Sequence, residues 1–325
     1  MKEPRVCVVG AGSLSTKRIY PYIGAAGAEL IGVCDLDLEK ARRNARLFGG
    51  EAFSDMESMV EEKRPDGVII CIGPEAHAEL APMAMRWGYS VYTEKPPAPT
   101  AAEALCVARV AKETGMLCAT GFKKRYSAAY SRAKEWLEGF SEETYASIGV
   151  TYCSARYNNE TPRSEFLLDF AIHIIDLIGF LFGDVSRVLA FTRDHHAYAA
   201  SLYFENGAVG TLNLNDSRSF QVPSEEVELS VEGGNFMTVH NSSIWKITEN
   251  GRPSEWREPP TFASAGDSGF DTGHMAEIAD FVRAIGRGSS MRSNVSESYK
   301  SMVLYEAIKR SAETGTIQDV RYELI

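Results

Sequence analysis

Short apolar runs alternate with helical patterns through the first 122 residues. The apolar runs, rich in Val and Ile, are predicted strands at 5–10, 29–34, 67–72, 90–93 and 117–122. The patterns between them are predicted helices at 13–24, 37–48, 55–63, 75–87 and 101–114, two of which begin at capping-box spacings, Ser54–Glu57 and Thr100–Glu103. Strands that alternate with helices form βαβ units, whose parallel strands are buried on both faces and joined by right-handed crossovers. Residues 1–122 are therefore predicted to form a doubly wound α/β domain.

The pattern of predicted helices and strands changes from residue 123 onward. Strand-like runs with turn signals between them dominate this half, at 146–153, 187–193, 197–215, 225–241 and 243–248. Helical patterns occur at 127–138, 165–182, 273–286 and 295–314, and a polar loop at 249–272 is a candidate lid or interface loop. Residues 123–325 are therefore predicted to form an α+β domain with a mostly antiparallel sheet.

Composition excludes several classes of function. The chain has 34 basic and 44 acidic residues, a net charge of −10, which argues against a nucleic-acid partner because phosphate binding depends on Lys and Arg. We see no signal peptide and no apolar run long enough to cross a membrane, so a cytoplasmic enzyme is expected. The 6 cysteines form no C-x-x-C pair and most lie in apolar stretches, which predicts reduced, buried thiols.

A glycine-rich turn follows the first predicted strand. Gly10, Gly12 and Ser15 occupy the three positions of the G-x-G-x-x-G dinucleotide-binding pattern, with a serine in place of the third glycine. The second strand ends at Asp35, where an acid can bind both ribose hydroxyls and would repel the 2′-phosphate of NADP. NAD is therefore favoured over NADP. The alternative is that Asp35 or Asp37 caps the following helix.

Further candidate residues lie where later strands end, at the sheet edge that binds ligands in doubly wound folds. Gly73 and Pro74 follow the fourth strand, and His77 lies in the first turn of the next helix, where it is structural about as often as functional. Glu94 and Lys95 end the fifth strand, although a lysine there more commonly points to water. The predicted cofactor contacts are Gly10, Gly12, Ser13, Leu14, Asp35, Leu36, Ile72, Gly73, Pro74, His77, Glu94 and Lys95.

The segment 165–183 is almost entirely apolar but carries Asp169, His173 and Asp176. On a helix these three positions fall within about 60° of one another, and the first two are i,i+4 neighbours. Burying such groups without partners would cost several kcal/mol, so they are either functional or satisfied inside the core. A zinc site would need further His or Cys ligands, and the adjacent His195 and His196 diverge, so no metal site is predicted.

Taken together, these motifs resemble the glucose–fructose oxidoreductase / inositol dehydrogenase / MocA family. The shared motifs are the glycine turn with Asp35, Gly73-Pro74, Glu94-Lys95-Pro96, "GFKKRY" at 121–126, and an aspartate four residues before a histidine. The resemblance runs in order over nearly the whole chain and thins after residue 190. It implies a Rossmann domain, a substrate domain built on a large open sheet, and a homodimer or homotetramer packed through that sheet. It also implies NAD(P)-dependent oxidation or reduction of a sugar or cyclitol carbon, with Lys95 beside the nicotinamide and the Asp-x-x-x-His pair at Asp169 and His173.

This resemblance gives the candidate residues chemical roles. His173 would act as the acid/base, since histidine titrates near neutral pH, with Asp169 favouring its protonated form. Lys95 would stabilise negative charge on the substrate oxygen. Asp176 is either a substrate contact or a support for other site residues.

Weaker candidates for substrate contact are Lys123 and Tyr126, which begin the second domain, and Asn158 and Arg163, which precede the helical segment 165–182. The leading hypothesis is an NAD-dependent dehydrogenase or reductase for a sugar-like substrate. The alternatives are a glycosidase that uses NAD for transient oxidation and a non-catalytic NAD sensor.

Overall fold

The structure, a computed structural model, describes residues 3–155, 165–218, 222–258, 269 and 271–325. The chain divides into two compact units. Unit 1 comprises Met1–Lys123, Gly273–Tyr299 and Ile325, and unit 2 comprises Lys124–Thr272 and Lys300–Leu324.

A six-stranded parallel sheet forms the centre of unit 1. Its strands are β1 (Arg5–Val9), β2 (Glu29–Cys34), β3 (Glu51–Phe53), β4 (Gly67–Ile70), β5 (Ser90–Thr93) and β6 (Cys118–Thr120). They lie in the order β3-β2-β1-β4-β5-β6, and every pairing between them is parallel. The central strands β1 and β4 are buried along almost their whole length, as strands covered on both faces must be. The predicted doubly wound domain is confirmed, and β3 is a strand that the sequence pattern did not reveal.

Helices connect these strands: α1 (Ser13–Arg18), α2 (Tyr20–Ile23), α3 (Leu38–Phe48), α4 (Met56–Lys63), α5 (Pro74–Arg86) and α6 (Ala101–Thr114). The predicted helix at 13–24 is divided in two, and Pro21 lies at the start of the second piece, where a missing amide hydrogen costs nothing. The capping box at Thr100 is confirmed by a hydrogen bond from the Glu103 amide, at 3.2 Å. The one predicted at Ser54 is wrong, because Asp55 caps α4 by accepting from the Ser58 amide at 2.7 Å.

Helix α9 (His274–Arg287) packs in unit 1, although the sequence pattern assigned everything after residue 122 to the second domain. The rings of Phe281 and Tyr92 are 5.9 Å apart, and a Cβ on Gly67 would lie 2.9 Å from the Phe281 ring. Glycine at the start of β4 therefore lets α9 approach the sheet closely. This packing depends on residues more than 180 positions apart in sequence, which a local pattern does not report.

Unit 2 is built on a nine-stranded sheet. Its strands are β7 (Tyr145–Cys153), β8 (Val185–Arg193), β9 (Ala197–Phe204), β10 (Val209–Asn215), β11 (Ser224–Val231), β12 (Asn235–His240), β13 (Ile244–Glu249), β14 (Arg252–Arg257) and β15 (Gln318–Asp319). They lie in the order β14-β13-β12-β11-β7-β10-β9-β8-β15. The pairing of β7 with β10 is parallel and the other strand pairings of this sheet are antiparallel. Burial alternates strictly along β9 and β10, so one face is covered and the other open, which confirms the predicted α+β fold.

The helices of unit 2 are α7 (Ala128–Leu137), α8 (Ile172–Phe182) and most of α10 (Val295–Thr314), with short 3₁₀ turns at Lys123–Tyr126 and Glu142–Thr144. A π-helical turn, Leu167–Ala171, leads directly into α8, so the segment predicted as one regular helix contains one wider turn. π-helical turns are rare and are found mostly at functional sites. Among the described residues, no helix is both long enough and apolar enough to span a membrane.

Candidate active site

The glycine turn of unit 1 has the geometry that a bound pyrophosphate requires. Gly10 has φ +105°, and a Cβ there would overlap the carbonyl oxygen of Cys71, so no other residue fits without displacing the backbone. A Cβ on Gly12 would meet nothing within 4 Å, which leaves the backbone open to close approach by a ligand. Ser15, at the third position, is fully buried and donates to the Gly12 carbonyl at 3.2 Å. The turn therefore fits a dinucleotide, with a small buried residue where the pattern calls for glycine.

Asp35 is bound to this turn through its carboxylate. It accepts a hydrogen bond from the Ala11 amide at 2.8 Å and another from the Asp37 amide at 2.9 Å. The residue that caps α3 is Asp37, which accepts from the Glu39 amide at 3.1 Å. Asp35 is thus oriented by the glycine turn and is not the helix cap, and each carboxylate oxygen keeps a lone pair for a ribose hydroxyl.

Three predicted cofactor contacts are apolar side chains that face solvent where strands end. Leu14 is 41% exposed, Leu36 is 96% exposed and Ile72 is 52% exposed. Exposed apolar side chains at a ligand-binding edge can pack against the flat faces of an adenine or nicotinamide ring. These side chains follow β1, β2 and β4, strands that are adjacent in the sheet.

The Glu94-Lys95-Pro96 segment leaves β5 at the same sheet edge. The Glu94 amide donates to the Ile70 carbonyl at 2.9 Å, and the Glu94 carboxylate accepts from the Lys95 amide at 3.0 Å. The Lys95–Pro96 peptide bond is cis. Glu94 is buried and Lys95 is partly exposed, so the carboxyl is fixed inside the unit while the lysine reaches its surface.

His77 braces this segment and is fully buried. Its Nδ1 lies 2.8 Å from the Pro96 carbonyl oxygen, and its Nε2 accepts from the Ile72 amide at 3.3 Å. Burial lowers the pKa of His77 to about 4, so the ring is neutral and carries its hydrogen on Nδ1. Both ring nitrogens are occupied by backbone groups, which leaves neither for the cofactor contact predicted from the sequence.

The stripe on the segment 165–183 divides by burial. Asp169 lies in the π-helical turn and His173 in the first turn of α8, and both are partly exposed. Asp176 is 1% exposed. The start of the π-helical turn is anchored by Glu165, which accepts from the Tyr305 hydroxyl at 2.7 Å.

Asp176 is engaged by two neighbours. Its carboxylate accepts two hydrogen bonds from Arg125, at 2.8 and 2.7 Å, and a third from the Ser301 hydroxyl at 2.8 Å. Arg125 is itself buried, and its guanidinium lies 5.1 Å from the centre of the Phe180 ring. Of the two roles left open by the sequence, this geometry favours support of the site over contact with substrate.

The neighbouring lysine of the "GFKKRY" motif is also internal. Lys124 forms a buried ion pair with Glu225, which also accepts from Tyr130 at 2.6 Å and from Ser242 at 2.8 Å. Burial alone would raise the pKa of the Glu225 carboxyl, but the Lys124 charge and the three hydrogen bonds hold it below its ordinary value. This network joins the start of unit 2 to β11.

The remaining predicted substrate contacts fall in different places. Lys123 is partly exposed, and Tyr126 is buried with 6% of its surface accessible. Asn158 and Arg163 lie outside the described residues. Within the described ranges, no group of three His, Cys, Asp or Glu side chains could hold a metal ion. Cys106 is exposed and the other five thiols are buried, so the prediction of buried cysteines holds for all but one.

Sequence inspection missed the pairing of Asp176 with Arg125 and the buried carboxyl of Glu277. Asp176 and Arg125 are 51 residues apart, and nothing in either segment names the other as a partner. Glu277, an acid inside the helical pattern at 273–286, is fully buried in unit 1. Its position among apolar residues of an amphipathic helix was the available signal.

Comparison with known proteins agrees with the two-part fold. The model of an oxidoreductase family with an NAD-binding Rossmann fold matches residues 4–122, and that of the same family's C-terminal alpha/beta domain matches residues 151–321. The D-glucoside 3-dehydrogenase of Escherichia coli (strain K12) is 24% identical over 96% of this chain and 96% of its own length. The scyllo-inositol 2-dehydrogenase (NAD⁺) of Bacillus subtilis (strain 168) is 23% identical over 89% and 88%.

The fold is also found in solved structures. An oxidoreductase from Agrobacterium radiobacter, crystallised with NAD⁺, L-tartaric acid and magnesium, superposes with a TM-score of 0.86 at 17% identity, covering 98% of this chain and 99% of that one. Because the two family matches together span most of the sequence, this chain belongs to the glucose–fructose oxidoreductase / inositol dehydrogenase / MocA family of oxidoreductases, as its motifs predicted.

Proposed function

We propose that the enzyme transfers a hydride between NAD and a hydroxyl or keto carbon of a sugar, cyclitol or sugar derivative. The observation that carries the proposal is the fixed geometry around Lys95, a partly exposed lysine held at the ligand-binding edge of a Rossmann sheet by Glu94 and His77. The names of the two relatives, a glucoside dehydrogenase and an inositol dehydrogenase, support the substrate class.

The proposed chemistry gives each candidate side chain a separate role. NAD, when bound, supplies the hydride acceptor or donor. His173 takes the hydroxyl proton during oxidation and returns it during reduction, and the Asp169 carboxylate favours the imidazolium form. Lys95 stabilises the negative charge that develops on the substrate oxygen. Asp176 acts indirectly: it lies on α8 and binds Arg125 through two hydrogen bonds.

The orientation of Asp35 supports NAD as the cofactor. The glycine turn directs its carboxylate through the Ala11 amide, so the negative charge is fixed beside the turn and cannot swing away from a 2′-phosphate. Fixed like charges oppose binding of NADP. Parallel titrations of NADH and NADPH fluorescence measure this preference directly.

A homodimer or homotetramer packed through the open sheet also remains a proposal. The open face of unit 2 has a groove of about 450 Å³ above β7, β10, β11 and β12. Gly149 lies in it, with Thr211 and Glu228 on the strands to either side. Light scattering of the purified protein tests the assembly.

Replacement of His173 tests the proposed acid/base. His173→Ala should lower kcat by roughly 10²–10⁴-fold, the usual contribution of general acid–base catalysis, while NADH still binds. His195→Ala, which removes an exposed histidine from the same unit, is the matched control and should keep full turnover. Wild-type kcat in His173→Ala would refute the role.

A turnover assay that follows reduced cofactor distinguishes the alternative, a glycosidase, from a dehydrogenase. A dehydrogenase accumulates reduced cofactor in proportion to product, whereas a glycosidase that oxidises its substrate only transiently accumulates no reduced cofactor.

If His173 and Lys95 serve one step, the double variant with both changed to Ala should lose far less of kcat than the product of the losses in the two single variants. Multiplicative losses would show that the two side chains act independently.

A further inference from the structure

Three side chains of unit 1 have buried polar atoms that make no hydrogen bond of good geometry with any described residue. They are the hydroxyls of Tyr92 and Thr120 and both carboxyl oxygens of Glu277. Native proteins leave few buried polar groups unsatisfied, and a group of three in one unit calls for an explanation. None of them belongs to the chemistry assigned above.

Glu277 and Glu94 lie around the same tyrosine. A Cβ built on Gly121 would be 2.5 Å from the Tyr92 hydroxyl and 3.2 Å from a carboxyl oxygen of Glu94, so glycine at this position makes room for both groups. The Tyr92 hydroxyl and the Glu94 carboxyl are also close enough to Glu277 to influence its ionisation. The two carboxyls therefore belong to one buried cluster.

An isolated carboxylate cannot stay charged in such surroundings. Glu277 is 0% exposed, and transferring an unpaired carboxylate into a medium of low polarity costs so much that the group keeps its proton instead. Burial, and next the repulsion from Glu94, raise the pKa of Glu277 well above its ordinary value. Burial also raises the pKa of Glu94, but Lys95 opposes the shift with its charge and its backbone amide.

Other titratable groups surround the pair. Those that face it from neighbouring elements are Tyr92 on β5, Cys71 after β4, Lys95 after β5 and Lys123 at the end of the first segment of unit 1. Both lysines favour the ionisation of Glu94, and the Lys95 backbone amide also donates to its carboxylate. Only Lys123 acts in this way on Glu277. Of the two carboxyls, Glu94 is therefore the one whose ionisation its neighbours favour more strongly.

We propose that Glu277 is a positioning residue that acts on Lys95 through Glu94: it is kept as a neutral acid, so that a single negative charge lies beside Lys95. This inference rests on the role proposed above for Lys95. If Glu277 lost its proton, its charge would repel that of Glu94 and so change the electrostatic surroundings of Lys95.

Infrared spectroscopy tests the protonation state without requiring turnover. The wild-type protein at neutral pH should show the carbonyl stretch of a buried carboxylic acid, shifted by deuteration. The band should vanish in Glu277→Gln and persist in Glu79→Gln, the matched change at an exposed glutamate on α5. A wild-type spectrum without the band, or a band that survives in Glu277→Gln, would overturn the proposal. Failure of the hydride-transfer hypothesis would leave this result unaffected.

The pH profile of kcat tests the action on Lys95. Glu94→Gln removes the charge beside Lys95 and should displace the profile along the pH axis by about one unit or more. Glu277→Gln replaces one neutral group by another, so its profile should keep its position whatever the height of its maximum. Equal displacement in both variants would show that Glu277 carries charge, and the proposal would fail.

Discussion

His77 gives unit 1 a stability that depends on pH, and His77→Gln is the perturbation that isolates it. The neutral ring donates from Nδ1 to the Pro96 carbonyl and accepts at Nε2 from the Ile72 amide. When the ring is protonated, Nε2 becomes a donor that faces another donor. Glutamine can offer one donor and one acceptor at every pH, so it removes the titration without removing polarity.

The sign and size of the effect follow from the shift of the His77 pKa, from 6.5 to about 4. Between these values the unfolded chain binds a proton that the folded unit does not. The contribution of His77 to stability is therefore fully present above pH 6.5 and is lost as pH falls towards 4. A shift of this size corresponds to about 3 kcal/mol in the free energy of unfolding.

Urea unfolding at a series of pH values measures this contribution. The difference in unfolding free energy between wild type and His77→Gln should shrink by about 3 kcal/mol on acidification from neutral pH to pH 4. Hydrogen exchange of peptides covering β4 and β5 assigns the change to unit 1, because a chain with two units need not unfold in one step. His195→Gln is the control at an exposed histidine. A difference that stays constant with pH would refute the neutral, buried ring.

Three further predictions concern the glycine turn and the buried network of unit 2. Gly10→Ala should destabilise unit 1 by roughly 1–3 kcal/mol, since it combines a strained φ with overlap at Cys71, and urea unfolding measures the loss. Gly12→Ala should unfold like wild type but bind NADH at least about tenfold more weakly, because its Cβ enters the space left for the pyrophosphate; unchanged affinity would contradict the fit. Glu225→Leu leaves the Lys124 ammonium buried without its carboxylate and should cost about 3–5 kcal/mol in the same unfolding assay. Adding Lys124→Met should recover most of that loss, and no recovery would show that packing dominates.

Five of the six parallel strands of unit 1 were predicted, because burial on both faces leaves an uninterrupted apolar run in the sequence. The sixth, β3, is partly exposed and leaves no such run. β14 was missed for a similar reason: its residues are mostly exposed and include Pro253, so no apolar alternation marks it. The break between α1 and α2 follows from Pro21, a signal that the helical pattern at 13–24 concealed. The periodic spacing of apolar residues in a strand or helix thus reflects which side chains are buried. Elements that bury few side chains have no such periodic spacing.

The candidate residues at strand ends could be predicted because a doubly wound sheet collects its functional groups at one edge. The residues that hydrogen-bond to them or pack against them could not be predicted. The brace from His77 to Pro96 spans 19 residues, and the packing of α9 on unit 1 joins segments far apart in the chain. Such contacts depend on how the elements pack, which neither composition nor periodicity determines.

Burial separates the ionisable residues of this protein into two groups. An ionisable side chain inside a protein must be neutral, as His77 is, or bonded to an opposite charge, as Asp176 is to Arg125. Side chains held in this way are costly to rearrange and serve to fix the backbone around them. Lys95, Asp169 and His173 are partly exposed, and a proton or a substrate can reach such groups without breaking the core. The sequence singled out both groups by residue type. The free-energy cost of burial assigns the first group to the scaffold, and the catalytic roles of the second group are the proposal that the variants above test.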